Sequence, residues 1–128
     1  MSANLDATQL SPGLTVNDLA TSLRFYEGLG FVIVDRFEFD GKLMGVMLKA
    51  GAATLGLSQD DFAKGRDRVK GVGMRIWAET TQDIDELAAK AKAAGVALDA
   101  EPADMPWGAR AFALTDPDGF KLTISRRS

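Results

Sequence analysis

The chain has 128 residues, 46% hydrophobic and 26% charged, with 15 Lys and Arg against 18 Asp and Glu for a formal net charge of −3. That is enough for one domain burying roughly 65–70% of its unfolded surface, and the mild acidity argues against nucleic acid, which is met by a basic patch. There is no histidine and no cysteine, which removes the commonest transition-metal ligands, the commonest general base and the thiol nucleophile together.

Met1 to Gln9 is polar and lacks the apolar run of a signal peptide. No stretch approaches the roughly 18 apolar residues of a membrane span, so the cytoplasm is the expected location. Leu10 to Val16 reads as a short strand with Leu14 and Val16 on one face. Asn17 or Asp18 caps a helix in which Leu19, Leu23, Tyr26 and Leu29 recur at helical spacing, with Phe25 widening the stripe. Gly30 is its left-handed stop. Phe31 to Phe39, rich in β-branched and aromatic residues, is a strand, and Asp40-Gly41 is a hairpin signal. Two more strands follow, Leu43–Lys49 and Ala53–Ser58, split by Gly51.

A polar stretch, Gln59 to Lys70, leads into a second round. Gly73 to Glu79 is a strand. Thr80 or Thr81 caps a helix that carries Ile84, Leu87, Ala88 and Ala91 on one face and stops at Gly95. Val96 to Ala100 is a strand, and Glu101 to Gly108 an irregular loop with Pro102, Met105, Pro106 and Trp107. Ala109–Thr115 and Phe120–Ser125 form a hairpin whose turn, Asp116-Pro117-Asp118-Gly119, has the residues of a type I turn. The order βαβββ thus occurs twice, and Leu19 to Gly30 spans the same distance as Ile84 to Gly95. This predicts an α+β fold: two βαβββ modules, residues 10–62 and 71–126 of one domain (10–126), forming a curved mixed sheet around a cleft with the helices outside.

Alternation assigns faces. In Phe120 to Ser125 the apolar set belongs under the helix, so Lys121, Thr123 and Ser125 face the cleft or solvent. In Gly73 to Glu79 two registers are open. Burial favours the one that hides Ile76 and Ala78 and aims Arg75, Trp77 and Glu79 into the cleft, because Arg and Glu under the helix would need partners. Phe37 and Phe39 share one face, as cleft wall, core or interface. Trp107 is a lid, a dimer contact, or a platform for a flat or cationic ligand. Met44, Met47 and Met105 are core filler or an adaptable lining.

The segments Val16-Asn17-Asp18-Leu19, Phe25-Tyr26, Leu29-Gly30-Phe31 and Asp116-Pro117-Asp118-Gly119 resemble the vicinal-oxygen-chelate superfamily of glyoxalase I, extradiol dioxygenases, fosfomycin-resistance enzymes and bleomycin-resistance proteins. The resemblance runs over residues 10 to 126. Enzymes of that family hold a divalent metal, and motif matching puts the ligand positions at Ser11, Gly56, Met74 or a residue within two of it, and Thr123. Glycine offers no ligand, neutral hydroxyls bind Zn, Ni or Fe poorly, and a thioether prefers Cu(I). The expectation is no metal and no cofactor.

One branch of the family, the bleomycin-resistance proteins, lacks the metal and sequesters a drug. Met105-Pro106-Trp107-Gly108-Ala109-Arg110 is similar to that branch's Pro-Trp-Gly segment, and Arg75-Ile76-Trp77 to its other tryptophan-bearing strand. The resemblance implies a homodimer and a ligand cleft lined by Trp77 and Trp107, and with Phe37, Phe39, Glu79 and Arg110 these make the expected ligand-binding set. The two tryptophans would sandwich a planar group, and Glu38, Asp40 or Glu79 would attract a cation. The expected function is metal-independent binding and sequestration of an antibiotic-like small molecule. The alternative is a metal-free isomerase or lyase with a carboxylate base.

Overall fold

A computed structural model describes residues 4–127; Met1 to Ala3, at the start of the polar N-terminal stretch, and Ser128 lie outside the described residues. The elements are β1 (Gly13–Val16), α1 (Leu19–Leu29), β2 (Val32–Phe39), β3 (Lys42–Ala50), β4 (Ala53–Gln59), β5 (Arg75–Glu79), α2 (Ile84–Ala93), β6 (Ala100–Met105), β7 (Ala109–Thr115) and β8 (Lys121–Arg127). They form two four-stranded sheets, ordered β1-β4-β3-β2 and β5-β8-β7-β6. In each sheet the first strand runs parallel to the last and the other pairings are antiparallel. The fold is therefore α+β, a βαβββ module made twice. No helix among the described residues is long and apolar enough to cross a membrane.

The first helix follows its sequence signals. The Asp18 carboxylate accepts from the Ala20 amide at 3.2 Å, and Gly30 closes the helix at φ 108° while its N–H returns to the Glu27 carbonyl at 3.0 Å. The second helix differs. Its cap is Asp83, not Thr80 or Thr81: the Asp83 carboxylate accepts from the Glu86 amide at 3.1 Å, while the Thr80 hydroxyl accepts from the Gln82 amide. A carboxylate at this end also meets the positive pole of the helix, which a hydroxyl does not.

The sixth strand lies later than its apolar residues indicate. Val96 is buried in the core just past α2, the stretch expected as a strand, Val96 to Ala100, is irregular up to Asp99, and pairing runs from Ala100 to Met105. Pro102 hid this strand. It is tolerated because β6 is an edge strand with an irregularity between Ala100 and Ala103, where no ladder donor is required.

One continuous core joins the modules. Leu14, Val16, Leu23, Val46, Leu48, Leu55 and Leu57 of the first half pack in the same cluster as Ile84, Ala88, Phe112, Leu114, Phe120 and Leu122 of the second. Each such large side chain contributes about 1.5–3 kcal/mol when fully buried. The helices meet at Gly28, where an added Cβ would lie 2.9 Å from Val96 Cγ2.

A polar junction fixes the halves to one another. The Tyr26 hydroxyl, fully buried, donates to Asp116 Oδ2 at 2.7 Å, and Asp116 Oδ1 accepts from the Asp118 and Phe120 amides, both at 2.9 Å. Asp118 reaches back, accepting from the Asn17 amide at 2.9 Å and the Ser22 hydroxyl at 3.3 Å. Lys70 donates to Asp60 at 2.9 Å and to the Asn17 side chain. Gly71, at φ 76°, passes so close to the turn that a Cβ would collide with the Gly119 carbonyl. Burial pushes the Tyr26 hydroxyl far above its ordinary range and raises the Asp116 carboxyl, so tyrosine stays the donor.

Two outcomes are expected. Tyr26→Phe strips a donor from a buried carboxylate and lowers the unfolding free energy by about 1–3 kcal/mol in urea denaturation. Asp60 is held below its ordinary 3.8, first by the Lys70 hydrogen bond. A lowered folded value contributes stability above the unfolded value that is lost as pH falls through the folded one. Acidification from about pH 5 to about pH 3 should therefore lower the melting temperature of the parent more than that of Asp60→Asn.

Candidate functional site

Each sheet has one face packed under helices and one free of them. In the second sheet Ile76 and Ala78 stand beside Leu122 and Ile124 on the helix side, which leaves Arg75, Trp77 and Glu79 beside Lys121, Thr123 and Ser125 on the free face. This is the register that burial favours, since the alternative would put a guanidinium and a carboxylate under α2. Trp107 lies in the turn between β6 and β7 and is 52% exposed; Trp77 is 59% exposed. Their rings meet with centroids 5.8 Å apart and planes at 77°.

That geometry corrects the expected sandwich. A flat ligand between two indoles needs parallel faces about 7 Å apart, twice a carbon contact distance. Here the rings touch edge to face, an arrangement favoured by their quadrupoles. They present a joined, outward surface. Beside it on the free face stand the small side chains of Ala111, Ala113, Thr123 and Ser125, three of them buried.

The other candidates divide by location. Glu79 is exposed and accepts from Arg127 Nε at 3.1 Å. Arg110 is placed elsewhere. It alternates with Ala111 and so shares the helix side with Phe112 and Leu114, where its guanidinium takes Asp85 in a fork at 2.7 and 2.8 Å and Asp104 at 3.1 Å. It ties α2 to the β6–β7 hairpin and holds the Asp85 carboxyl below its usual range. The alternation with Phe112 and Leu114 was the signal for this in the sequence.

Phe37 and Phe39 lie together, on the first sheet. Phe37 stands opposite Gly45, and a pairing shift that skips Met44 keeps Phe39 on the same face, opposite Lys42. Glu38 alternates with both phenylalanines and pairs with Leu43, which packs on the core. Glu38 is thus on the other side from both phenylalanines, and Asp40 sits in the hairpin turn at φ 53°. The two aromatic groups occupy the free faces of different sheets.

The family's ligand positions offer no donor set that fits a divalent ion. The Ser11 hydroxyl bonds that of Thr54, Gly56 stands opposite Gly13, and Thr123 Oγ1 accepts from Arg75 Nη1 at 3.0 Å. The strand neighbour of Thr123 is Trp77, while Met74 precedes β5. Among the described residues no three His, Cys, Asp or Glu side chains converge to hold a metal.

A recess that sequence reasoning missed opens at the head of β5. It measures about 490 Å³ and is lined by Lys70 through Arg75 with Gly119 and Lys121. Its shape follows from the close pass of Gly71 under the Gly119 turn. The glycines of Gly71-Val72-Gly73 were its trace in the sequence.

A family model described as the glyoxalase/bleomycin resistance protein/dioxygenase superfamily matches residues 6–124. A solved member of that superfamily from Sphaerobacter thermophilus is 28% identical, covers 95% of this chain and 98% of its own, and superposes with a TM-score of 0.75. A virulence protein from Salmonella typhimurium is 26% identical over 98% of this chain and 100% of its own, with a TM-score of 0.70. A bleomycin-binding protein, solved with bleomycin bound, is 24% identical over 95% of this chain and 100% of its own, with a TM-score of 0.66. No curated protein matches the sequence.

Because both indoles are more than half exposed, Trp107→Ala should cost less than about 1.5 kcal/mol of stability. It should nonetheless change the near-ultraviolet circular dichroism that the edge-to-face pair generates.

Proposed function

The chain belongs to the glyoxalase/bleomycin resistance protein/dioxygenase superfamily, and from that premise we propose that it binds and sequesters a small molecule without a metal. One observation carries the reading: two touching, half-exposed tryptophans on the free face of the second sheet, beside family metal positions whose side chains cannot make a divalent site. A flat ligand laid on this surface would cover about 100 Å² of indole, which contributes about 2–3 kcal/mol. The superposition on a bleomycin-binding protein supports a ligand of antibiotic size.

Phe37 and Phe39 enter this proposal through a second copy of the chain. A homodimer that brings the first sheet of one copy over the second sheet of the other would add both phenyl rings to the tryptophan surface, and would cover apolar side chains that now face solvent. The proposed place of action is the cytoplasm, and the proposed mode is stoichiometric retention of the ligand without turnover. The enzyme alternative requires a carboxylate at the floor of an enclosed cleft, whereas Glu79 is exposed against Arg127.

Titration of the protein with a bleomycin-type glycopeptide and with planar aromatic antibiotics, in the presence of EDTA, should quench tryptophan fluorescence at one ligand per site. Trp107→Ala should weaken the best ligand at least about tenfold, a change of about 1.4 kcal/mol. Absence of quenching with every compound would defeat the proposal.

A further inference from the structure

We propose that the recess at the head of β5 is an anion-binding subsite, so that the ligand of the tryptophan face is a small organic anion: a carboxylate or phosphate head held by Arg75 and Lys121, with a flat apolar body reaching Trp77. This rests on the reading that the free face of the second sheet binds a small molecule, and it reverses the cation expected at Glu38, Asp40 or Glu79.

Arg75 and Lys121 are direct partners in the β5–β8 ladder, and both side chains stand on the free face. Like charges directly opposite one another destabilise a sheet. Among the described residues neither enters an ion pair, although Lys70 in the same recess is engaged by Asp60. Arg75 spends one donor on Thr123 and keeps the rest of its planar fork, which matches a carboxylate or phosphate in two parallel bonds. On the same face Arg127 already occupies Glu79, and the Asp99 carboxylate accepts from the Thr115 hydroxyl. In a chain of net charge −3, two adjacent unpaired cations are a local arrangement and not a consequence of composition.

The distances suit an aryl anion. Trp77 follows Arg75 by two residues on one face, about 6.6 Å along the strand, which is the reach from an anionic head across one aromatic ring. Val72 and Met74, both exposed, give the recess an apolar rim. Its volume of about 490 Å³ falls in the range of small-molecule sites, roughly 300–1,000 Å³.

The test uses the intact protein at low ionic strength, with benzoate, phenyl phosphate, benzyl alcohol and benzylammonium followed by tryptophan fluorescence and calorimetry. One or both anions should bind at least about tenfold more tightly than the alcohol or the ammonium ion, and which anion wins separates a carboxylate ligand from a phosphate ligand. Arg75→Gln should weaken the anions by about the same factor and leave benzyl alcohol unchanged, and Arg75→Lys should recover part of the loss. Without any ligand, Lys121→Gln should raise the melting temperature at low salt by removing the like-charge contact, a readout independent of binding. Equal affinity for the alcohol, the cation and the anions, or anion affinity unchanged in Arg75→Gln, would overturn the subsite while leaving the binding function intact. Probes that all fail while an antibiotic quenches the tryptophans would also overturn it; failure of probes and antibiotics alike would overturn both.

Discussion

The buried hydrogen bond from Tyr26 to Asp116 is the contact on which the rest of the arrangement depends. Each βαβββ module covers one face of its own sheet with one helix, and the shared core is non-directional: leucine and alanine surfaces permit many relative placements. The polar junction restricts them. Tyr26 reaches a carboxylate that is already bound to the Asp118 and Phe120 amides, and Asp118 returns to Asn17 and Ser22. A displaced α1 would leave a buried carboxylate short of a donor, a cost of about 1–3 kcal/mol. The turn that closes the β7–β8 hairpin therefore also sets where the second sheet lies beside the first. Through Gly71 packed against Gly119, it shapes the recess at the head of β5 as well.

Much of this was legible because single residues carried single physical demands. Gly30 and Asp18 marked the ends of α1, and Asp40-Gly41 and Asp116 to Gly119 marked two turns. The register of β5 followed from the cost of placing Arg75 and Glu79 under a helix. What escaped was set by competition between neighbours or between distant segments. Thr80, Thr81 and Asp83 could each cap α2, and the carboxylate prevailed. Pro102 argued against a strand that an edge position tolerates. A pairing shift at Met44 sets Glu38 opposite Leu43 and Phe39 opposite Lys42, and no local signal announces such a shift. Arg110 was misplaced for another reason. Its segment resembled a ligand-binding one, and that likeness outweighed the alternation with Phe112 and Leu114 that puts it on the helix side.

The candidate site shows a similar division. That Trp77 and Trp107 would share a surface was readable from two segments far apart in sequence; that they would touch edge to face was not, because ring orientation is decided by packing in the folded chain. Charge was uninformative at the scale of the whole chain. The mild net acidity only permitted a cationic ligand, and on the free face of the second sheet Glu79 is paired to Arg127 while Arg75 and Lys121 enter no ion pair. Local pairing, not composition, decides what such a face attracts. The four family positions are informative in the same way, since the two hydroxyls among them are spent on Thr54 and Arg75.

The central claim is that this surface, without a metal, is where a small molecule is held. The chain has only two tryptophans, so a proton–nitrogen correlation spectrum contains one indole signal for each. The most direct measurement follows these two signals during an antibiotic titration in EDTA. The account predicts that both indole signals move together and saturate at one ligand per site. Indole signals that stay fixed while backbone shifts gather elsewhere, or that move only after a divalent metal is added, would contradict it.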